Sequence, residues 1–289
     1  MRIALACAVV VFPTLVTSCG PISEPVDPQR TAQAWVGERQ PSPDALPTTS
    51  LACGAQITGS IRLDNDLTCA GNALLVNGDG ITVDLNGHTL AGSGTGNGIT
   101  VTGSHGVTIS GGTVKGFLSG IFASSSTDLL IRDNEFSANR EAVLLQATSG
   151  SVIKHNTATN HAMRAFMIRP NTSGGLSTNN VVIGNLVVDT PTGIYLIRQP
   201  GNTIQENTIV GSAIAGIDLA EGASGVSDNI VRANHLMGGG AGIRFAAGWI
   251  DNTFVGNRIE ANTCGIKGST TGNTLTGNVF SGNAAESCP

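Results

Sequence analysis

A small residue followed by a large apolar one recurs eight times between residues 98 and 266, and each pair opens a short alternating run. The intervals between successive pairs are 22, 22, 23, 28, 23, 26 and 23 residues. A repeat of this length indicates one supersecondary unit stacked on itself, because each unit buries its apolar face only against its neighbours. The sequence therefore predicts a solenoid. The pairs are Gly98-Ile99, Gly120-Ile121, Ala142-Val143, Ala165-Phe166, Gly193-Ile194, Gly216-Ile217, Gly242-Ile243 and Gly265-Ile266.

A second repeat, built on asparagine, runs in step with the first. Seven asparagines recur at intervals of 21 to 29 residues, and each precedes a short strand-like pair such as Glu135-Phe136. Within one unit, runs at 120–123, 129–131 and 135–136 are separated by Asn, Gly, Ser or Thr. We expect the asparagines to adopt left-handed corners and to donate their amides to the next coil's asparagine. The seven are Asn134, Asn156, Asn185, Asn207, Asn234, Asn257 and Asn278.

Three short strands per turn, without a 3.6-residue periodicity, favour a parallel β-helix over a leucine-rich repeat, whose Leu-x-x-Leu-x-Leu consensus is absent. The repeat resembles the right-handed parallel β-helix superfamily, which includes pectate lyases, alginate lyases, mannuronan epimerases and NosD-like periplasmic proteins. The resemblance covers residues 51–289. It implies an all-β fold, a single-stranded right-handed parallel β-helix of about nine coils.

The composition narrows the class of partner. Only 12% of residues are charged, the net charge is −5, and there is no run of Lys and Arg. Aromatic residues make up 4% of the chain, too few for a platform that stacks single-stranded bases. These features exclude nucleic acid as the expected partner. An acidic polysaccharide stays open, because local basic residues matter there more than the total charge.

The N-terminal residues are typical of an export signal. Arg2 precedes an apolar stretch at 3–15, and Val16-Thr17-Ser18-Cys19 resembles a bacterial lipobox. The sequence predicts a signal peptide over 1–18, a lipidated Cys19 followed by a Pro-rich tether over 19–50, and the β-helix over 51–289. We expect a lipid-anchored monomer in the bacterial cell envelope. An ordinary secretory signal with an incidental cysteine is the alternative.

Four cysteines remain after the signal region, two at each end of the solenoid. In an oxidising compartment we expect the disulfides Cys53–Cys69 and Cys264–Cys288, each contributing about 3 kcal/mol. A β-helix ends in unpaired strand edges, which such bridges help to hold. Zinc binding by the four cysteines is the rival interpretation, but the spacings lack a Cys-x-x-Cys knuckle.

Strand alternation predicts which side chains face outward. The residue after each small one points inward and the next one points outward, so the outward row differs in character along the solenoid. Its first members are bland: Thr100, Phe122, Leu144 and Met167. Its last four members, on adjacent coils, have functional groups that can bind a ligand or transfer a proton: Tyr195, Asp218, Arg244 and Lys267. Polar side chains expected nearby are Gln146, Arg169, Arg198 and Glu221.

This row favours a carbohydrate site. Lyases and epimerases of uronate polysaccharides neutralise a carboxylate, abstract the C5 proton and protonate an oxygen. The β-helix lyases carry a basic ladder on the same sheet, and that resemblance implies Arg244 and Arg198 as carboxylate ligands, Lys267 as base and Tyr195 as acid. Asp218 would hold calcium or orient an arginine. Substrate-binding roles fall to Arg169, Arg198, Asp218, Glu221 and Gln146.

Purely structural interpretations of these residues are the alternative to a catalytic site. Opposite charges on neighbouring coils are ordinary cross-strand pairs worth about 0.2–1 kcal/mol each. The Asp-Pro-His-Asp signature of mannuronan epimerases is absent, as are the motifs of polygalacturonases and the acidic calcium cluster of pectate lyases. The sequence therefore leaves open whether the protein cleaves, epimerises or binds polysaccharide. A noncatalytic structural or adhesive lipoprotein is the alternative class.

A copper-handling role, as in NosD-like proteins, is a further alternative, because Met and His are ligands that suit copper. We expect no cofactor and no metal site, since the six candidates spread over several faces. The triplet Asp64-Asn65-Asp66 resembles half of a calcium loop and is predicted to be a turn. The copper candidates are His155, His161, Met163, Met167, His235 and Met237.

Overall fold

The computed structural model describes residues 46–221 and 226–289, and every regular element in these ranges is a β-strand. Three strands form each turn, and each strand pairs in parallel with the strand one turn further along the chain. Over the same ranges, no helix is long and apolar enough to cross a membrane. The predicted signal peptide, Cys19 and all of the tether except residues 46–50 lie outside the described residues.

Sheet A has eleven strands. They are β1 (Thr48–Thr49), β3 (Ile61–Leu63), β6 (Thr82–Asp84), β9 (Thr108–Ser110), β12 (Leu130–Arg132), β15 (Val152–Lys154), β18 (Val181–Ile183), β21 (Thr203–Gln205), β24 (Ile230–Arg232), β27 (Thr253–Val255) and β30 (Thr274–Thr276).

Sheet B also has eleven strands, several of them twice as long as those of sheet A. They are β2 (Ala55–Ile57), β5 (Leu74–Val76), β8 (Asn97–Thr102), β11 (Ser119–Ser124), β14 (Glu141–Gln146), β17 (Arg164–Arg169), β20 (Thr192–Ile197), β23 (Ala215–Ala220), β26 (Ala241–Phe245), β29 (Cys264–Lys267) and β32 (Ala285–Cys288).

Sheet C has ten strands. They are β4 (Leu67–Cys69), β7 (Thr89–Gly92), β10 (Thr113–Lys115), β13 (Glu135–Ser137), β16 (Thr157–Thr159), β19 (Leu186–Val188), β22 (Thr208–Val210), β25 (His235–Met237), β28 (Arg258–Glu260) and β31 (Val279–Ser281). The described chain therefore makes about ten turns and is the parallel β-solenoid that the repeat predicts.

The core is a column of stacked apolar side chains. Ile121 lies in register with Ile99 on one neighbouring coil and with Val143 on the other, about 4.8 Å away in each direction. All eight residues predicted to point inward from sheet B are buried, which confirms the predicted inward row. They are Ile99, Ile121, Val143, Phe166, Ile194, Ile217, Ile243 and Ile266.

The small residue of each pair also faces the core, and this explains why the pairs recur. A Cβ atom built on Gly98 would lie 2.4 Å from Cγ1 of Val114 and 2.5 Å from the carbonyl oxygen of Gly120. The chain enters sheet B so close to its own core that only the smallest residues fit there. Two consecutive residues therefore point inward, and the strict alternation expected from the sequence fails at this one position.

The predicted asparagine ladder is present on the corner between sheets A and C. The side-chain amide of Asn185 donates to Oδ1 of Asn207 at 3.0 Å, and Asn207 donates in the same way to Asn234. The ladder continues through all seven asparagines, and the side-chain amide of each also donates to a backbone carbonyl of the previous coil. These bonds satisfy polar groups at the corner that burial removes from water.

The left-handed conformation lies one residue earlier than we expected. The residue before each asparagine has the positive φ, as Glu206 does at 56° before Asn207, and the ladder asparagines themselves do not. The same pairing of a left-handed residue with a buried polar one occurs at two further corners, where Asn180 bonds to Asn202 and Asn262 bonds to Asn283. The sequence reasoning identified only one of the three ladders.

Both predicted disulfides are present, one at each end. Cys53 and Cys69 lie 5.6 Å apart at their Cα atoms, and Cys264 and Cys288 lie 6.1 Å apart. Each bridge joins coils at the end of the solenoid, where a strand has only one neighbour. The zinc interpretation is wrong, because all four thiols are consumed by these bonds.

Candidate functional site

The outer face of sheet B carries the predicted row in register. Tyr195 pairs with Met167 on one side and with Asp218 on the other, and Asp218 is followed by Arg244 and then Lys267. A second outward row is formed by the residue that precedes each small one, and it includes Glu141 and Arg164. The sequence reasoning missed this second row because it assumed strict alternation through the small residue.

The C-terminal half of the predicted site is occupied by an ion pair. Nε of Arg244 donates to Oδ1 of Asp218 at 2.8 Å, and its NH2 group donates to Oδ2 at 2.5 Å. Asp218 is only 1% exposed, whereas the Arg244 side chain is 38% exposed. This bidentate contact is the strongest geometry that a carboxylate and a guanidinium adopt. Asp218 is thus committed to orienting Arg244, and Lys267 is exposed beside them.

A groove lies on the same face, nearer the N-terminus. Its volume is about 490 Å³, and its floor consists of outward apolar side chains on four consecutive coils. These side chains pack into a cluster of their own, separate from the core, and all but the first are at least 92% buried. The floor residues are Phe122, Leu144, Met167 and Tyr195.

One wall of the groove carries three charged side chains. The guanidinium of Arg164 lies 4.0 Å from the centre of the Tyr195 ring, in cation–π contact. The NH1 group of Arg164 lies 3.7 Å from Oε1 of Glu141, and Nε of Arg140 lies 3.5 Å from the same oxygen. The Glu141 side chain is 7% exposed. Burial raises the pKa of the Glu141 carboxyl, although Arg140 and Arg164 oppose that change.

The opposite wall contains two residues of the predicted site and one apolar residue. Arg169, Ile197 and Glu221 line it, and the NH2 group of Arg169 donates to Oε1 of Gln146 at 2.9 Å. Nε of Arg169 is buried and has no hydrogen-bond partner among the described residues. With Arg140 and Arg164 on the other wall, three guanidinium groups border the groove.

The structure therefore divides the predicted site residues. Tyr195, Arg169 and Glu221 border the groove, and Gln146 holds Arg169 there. Asp218 and Arg244 pair one and two coils beyond Tyr195. Arg198 is exposed at a corner, with a φ of 50°, and Lys267 lies three coils from Tyr195. The catalytic roles assigned to Lys267, Arg244 and Tyr195 stay predictions.

The copper candidates are divided among several faces: Met163 and Met167 line the groove, and His235 and Met237 share strand β25. His161 is buried at a corner, His235 bonds to Glu260 at 2.8 Å on sheet C, and Met167 lies in the groove floor. His155 is exposed at another corner, 3.9 Å from Asp133. Over residues 46–221 and 226–289 there is no group of three or more His, Cys, Asp or Glu side chains that can hold a metal ion.

The fold and this face define a parallel β-helix with an arginine-bordered groove on one outer sheet. The chain belongs to the right-handed β-helix family, since the sequence model described as a right handed beta helix region matches residues 72–236. A comparison with curated proteins gave no match.

Solved structures of the same fold have low sequence identity to this chain. An alginate lyase from Paenibacillus sp. str. FPU-7 is 18% identical, with a TM-score of 0.59, over 82% of this chain and 98% of its own. The A-module of the mannuronan C-5 epimerase of Azotobacter vinelandii is 17% identical, with a TM-score of 0.56, over 85% and 80%. A tailspike protein of E. coli bacteriophage HK620, solved with a pentasaccharide, is 14% identical, with a TM-score of 0.59, over 84% and 55%.

Proposed function

We propose that this protein binds polysaccharide in the groove on the outer face of sheet B. The observation that carries the proposal is the combination of an apolar floor with three arginines at its rim. Pyranose rings present C–H faces that pack on side chains such as Phe122 and Tyr195, while their polar groups suit the guanidinium donors. The similar lyase, epimerase and tailspike structures, by their descriptions, act on or bind carbohydrates, which supports the same class of ligand.

The charged groups on this face of sheet B suit proton transfer at a sugar acid better than hydrolysis of a glycosidic bond. Hydrolysis of a glycosidic bond needs two carboxyl groups about 5–10 Å apart. Glu141 is three coils, about 14 Å along the stack, from the coil that carries both Asp218 and Glu221, and Asp218 is engaged by Arg244. We therefore propose lyase or epimerase chemistry as the enzymatic form of the function, with polysaccharide binding alone as the noncatalytic form.

A binding screen tests the proposal. Purified protein is run by affinity electrophoresis through gels containing alginate, pectate, hyaluronan, chondroitin or a neutral glucan, and absorbance of unsaturated uronate reports cleavage. We expect retardation by at least one polymer, and Phe122→Ser should weaken it severalfold because the floor loses one of its two aromatic rings. Leu186→Ser is the matched control, since Leu186 is 40% exposed on sheet C, away from the groove. If none of the polymers changes the migration of the wild-type protein, the proposal is refuted.

We also propose that the protein acts as a lipid-anchored component of the bacterial cell envelope. The lipobox-like Val16-Thr17-Ser18-Cys19 supports this proposal, as does the pair of disulfides, which form in oxidising compartments. Labelling cells with a radioactive fatty acid tests it. The full chain should incorporate label, and Cys19→Ser should remove the label while leaving the export of the protein measurable.

A further inference from the structure

Arg164 is the cation in the groove that is held in place without being neutralised by a hydrogen bond. Its side chain is 18% exposed, and its guanidinium stacks on the Tyr195 ring yet donates no hydrogen bond to any residue of the described chain. Arg244 is the contrast on the same sheet, because two of its donors are spent on Asp218. The planar guanidinium of Arg164 has five N–H donors, and the Tyr195 ring fixes its orientation. It is therefore suited to bind a carboxylate of a ligand.

Glu141 is the only carboxylate near Arg164 among the described ion pairs, and their contact is loose. The 3.7 Å between NH1 and Oε1 exceeds the roughly 2.7–2.9 Å of a charge-assisted hydrogen bond. The Glu141 contact with Nε of Arg140, at 3.5 Å, is also long. A nearly buried carboxylate is therefore held by two guanidinium groups that do not fully replace the water it has lost.

We propose that a sugar carboxylate binds Arg164 in place of Glu141, and that Glu141 takes up one proton as this happens. The inference rests on the proposed polysaccharide function and adds the ligand class, an acidic polysaccharide, and a proton linked to its binding. The ligand brings one negative charge to Arg164, and the proton cancels the charge that the nearly buried Glu141 would otherwise keep in the groove wall. No bond other than O–H of Glu141 is formed, and the proton comes from solvent.

The surroundings of Glu141 fix the sign of the pH effect. The charged groups that face it are Arg140, Arg164 and Arg169, and all three favour its ionised form. Ser119, in register on the neighbouring coil, carries no charge. When a ligand engages Arg164, Glu141 loses part of that support and becomes easier to protonate. Affinity for an acidic polysaccharide should therefore rise as pH falls from about 8 towards 5, by at most about tenfold per pH unit for one linked proton.

Calorimetry tests this on the full chain. Hexasaccharides of alginate, pectate, hyaluronan and chondroitin, with maltohexaose as the neutral probe, are titrated between pH 5 and pH 8 in two buffers of different ionisation enthalpy. We expect at least one acidic probe to bind with an uptake of up to one proton. Glu141→Gln, which mimics the protonated side chain, should bind the same probe without proton uptake and with an affinity independent of pH. Glu135→Gln is the control, since Glu135 is exposed on sheet C.

The outcomes separate this inference from the proposed function. Binding of an acidic probe with no proton uptake by the wild-type protein would overturn the role of Glu141 and leave polysaccharide binding intact. Binding of maltohexaose alone would overturn the acidic ligand class. Binding of no probe, together with unchanged migration in every polysaccharide gel, would overturn both. Proton uptake is measured on the wild-type chain, so the test stands even if a variant fails to fold.

Discussion

Arg244 donates two hydrogen bonds to a carboxylate of Asp218 that is only 1% exposed, across neighbouring strands of sheet B. Removing one member of such a pair leaves a buried charge without its partner, at a cost of about 3–5 kcal/mol. Arg244→Ala should therefore lower the free energy of unfolding by about that amount, whatever it does to activity.

A double-mutant cycle in urea checks this prediction. Asp218→Asn combined with Arg244→Ala removes both charges and should recover most of the lost stability. If Arg244→Ala unfolds at the same urea concentration as the wild type, the pair contributes little and Arg244 is available for ligand.

The interior of the asparagine ladder should matter more than its end. Asn207→Ala deprives Asn185 of its acceptor and the carbonyl of Val182 of its donor, and these groups are buried. Each buried polar group left unpaired costs about 1–3 kcal/mol. We expect a marked fall in the thermal midpoint for Asn207→Ala and a smaller one for Asn278→Ala, because Asn278 is half-exposed on the last rung and water can replace it. Equal losses would contradict this account.

His161 makes the fold sensitive to acid. It is 3% exposed, its Nε2 atom has no hydrogen-bond partner among the described residues, and burial lowers its pKa from 6.5 to about 4. Below pH 6.5 the unfolded chain binds a proton that the folded chain excludes. The free energy of unfolding therefore decreases as the pH is lowered from 6.5 to about 4, where the folded histidine also becomes protonated. The loss over that window is about 3 kcal/mol.

The matched variant is His161→Asn, which gives this corner the residue that occupies the corner between sheets C and B on two other coils, at Asn139 and Asn262. Denaturant unfolding of both proteins at pH 7 and pH 4.5 measures the effect. The variant should lose less stability than the wild type on acidification. The same decrease in both proteins would assign the acid sensitivity to other groups.

The Cys53–Cys69 disulfide closes a loop of 16 residues at the first coils. In the chain-entropy account, a loop of this size stabilises the fold by about 3 kcal/mol. Replacing both cysteines by serine should lower the urea midpoint accordingly, and reduction of the wild type should act in the same direction. A variant that keeps the wild-type midpoint would show that the end coils are held by their strand pairing alone.

The repeat could be predicted from the sequence because every coil buries the same columns. Ile121, Val143 and Phe166 occupy equivalent core positions, so the period of the chain is the period of the fold. The site was harder to predict, since alternation fails at the small residue and the outward row that contains Glu141 and Arg164 was therefore missed. Register predicted that Arg244 has two neighbours, Asp218 and Lys267, but not that Asp218 would be buried enough to bind it.

The sequence and the structure place the polysaccharide site at different coils of sheet B. Lys267 lies three coils from Tyr195, about 14 Å, and is exposed beyond the Asp218–Arg244 pair. Arg169, in contrast, borders the groove, and its Nε is buried without a hydrogen-bond partner in the described part of the chain. We expect Arg169→Ala to weaken retardation in a polysaccharide gel severalfold and Lys267→Ala to leave it unchanged. Both variants remove one positive charge, so each controls for the net charge of the other. If Lys267→Ala abolishes retardation while Arg169→Ala does not, polysaccharide engages the C-terminal coils, and the groove is a packing feature of the fold.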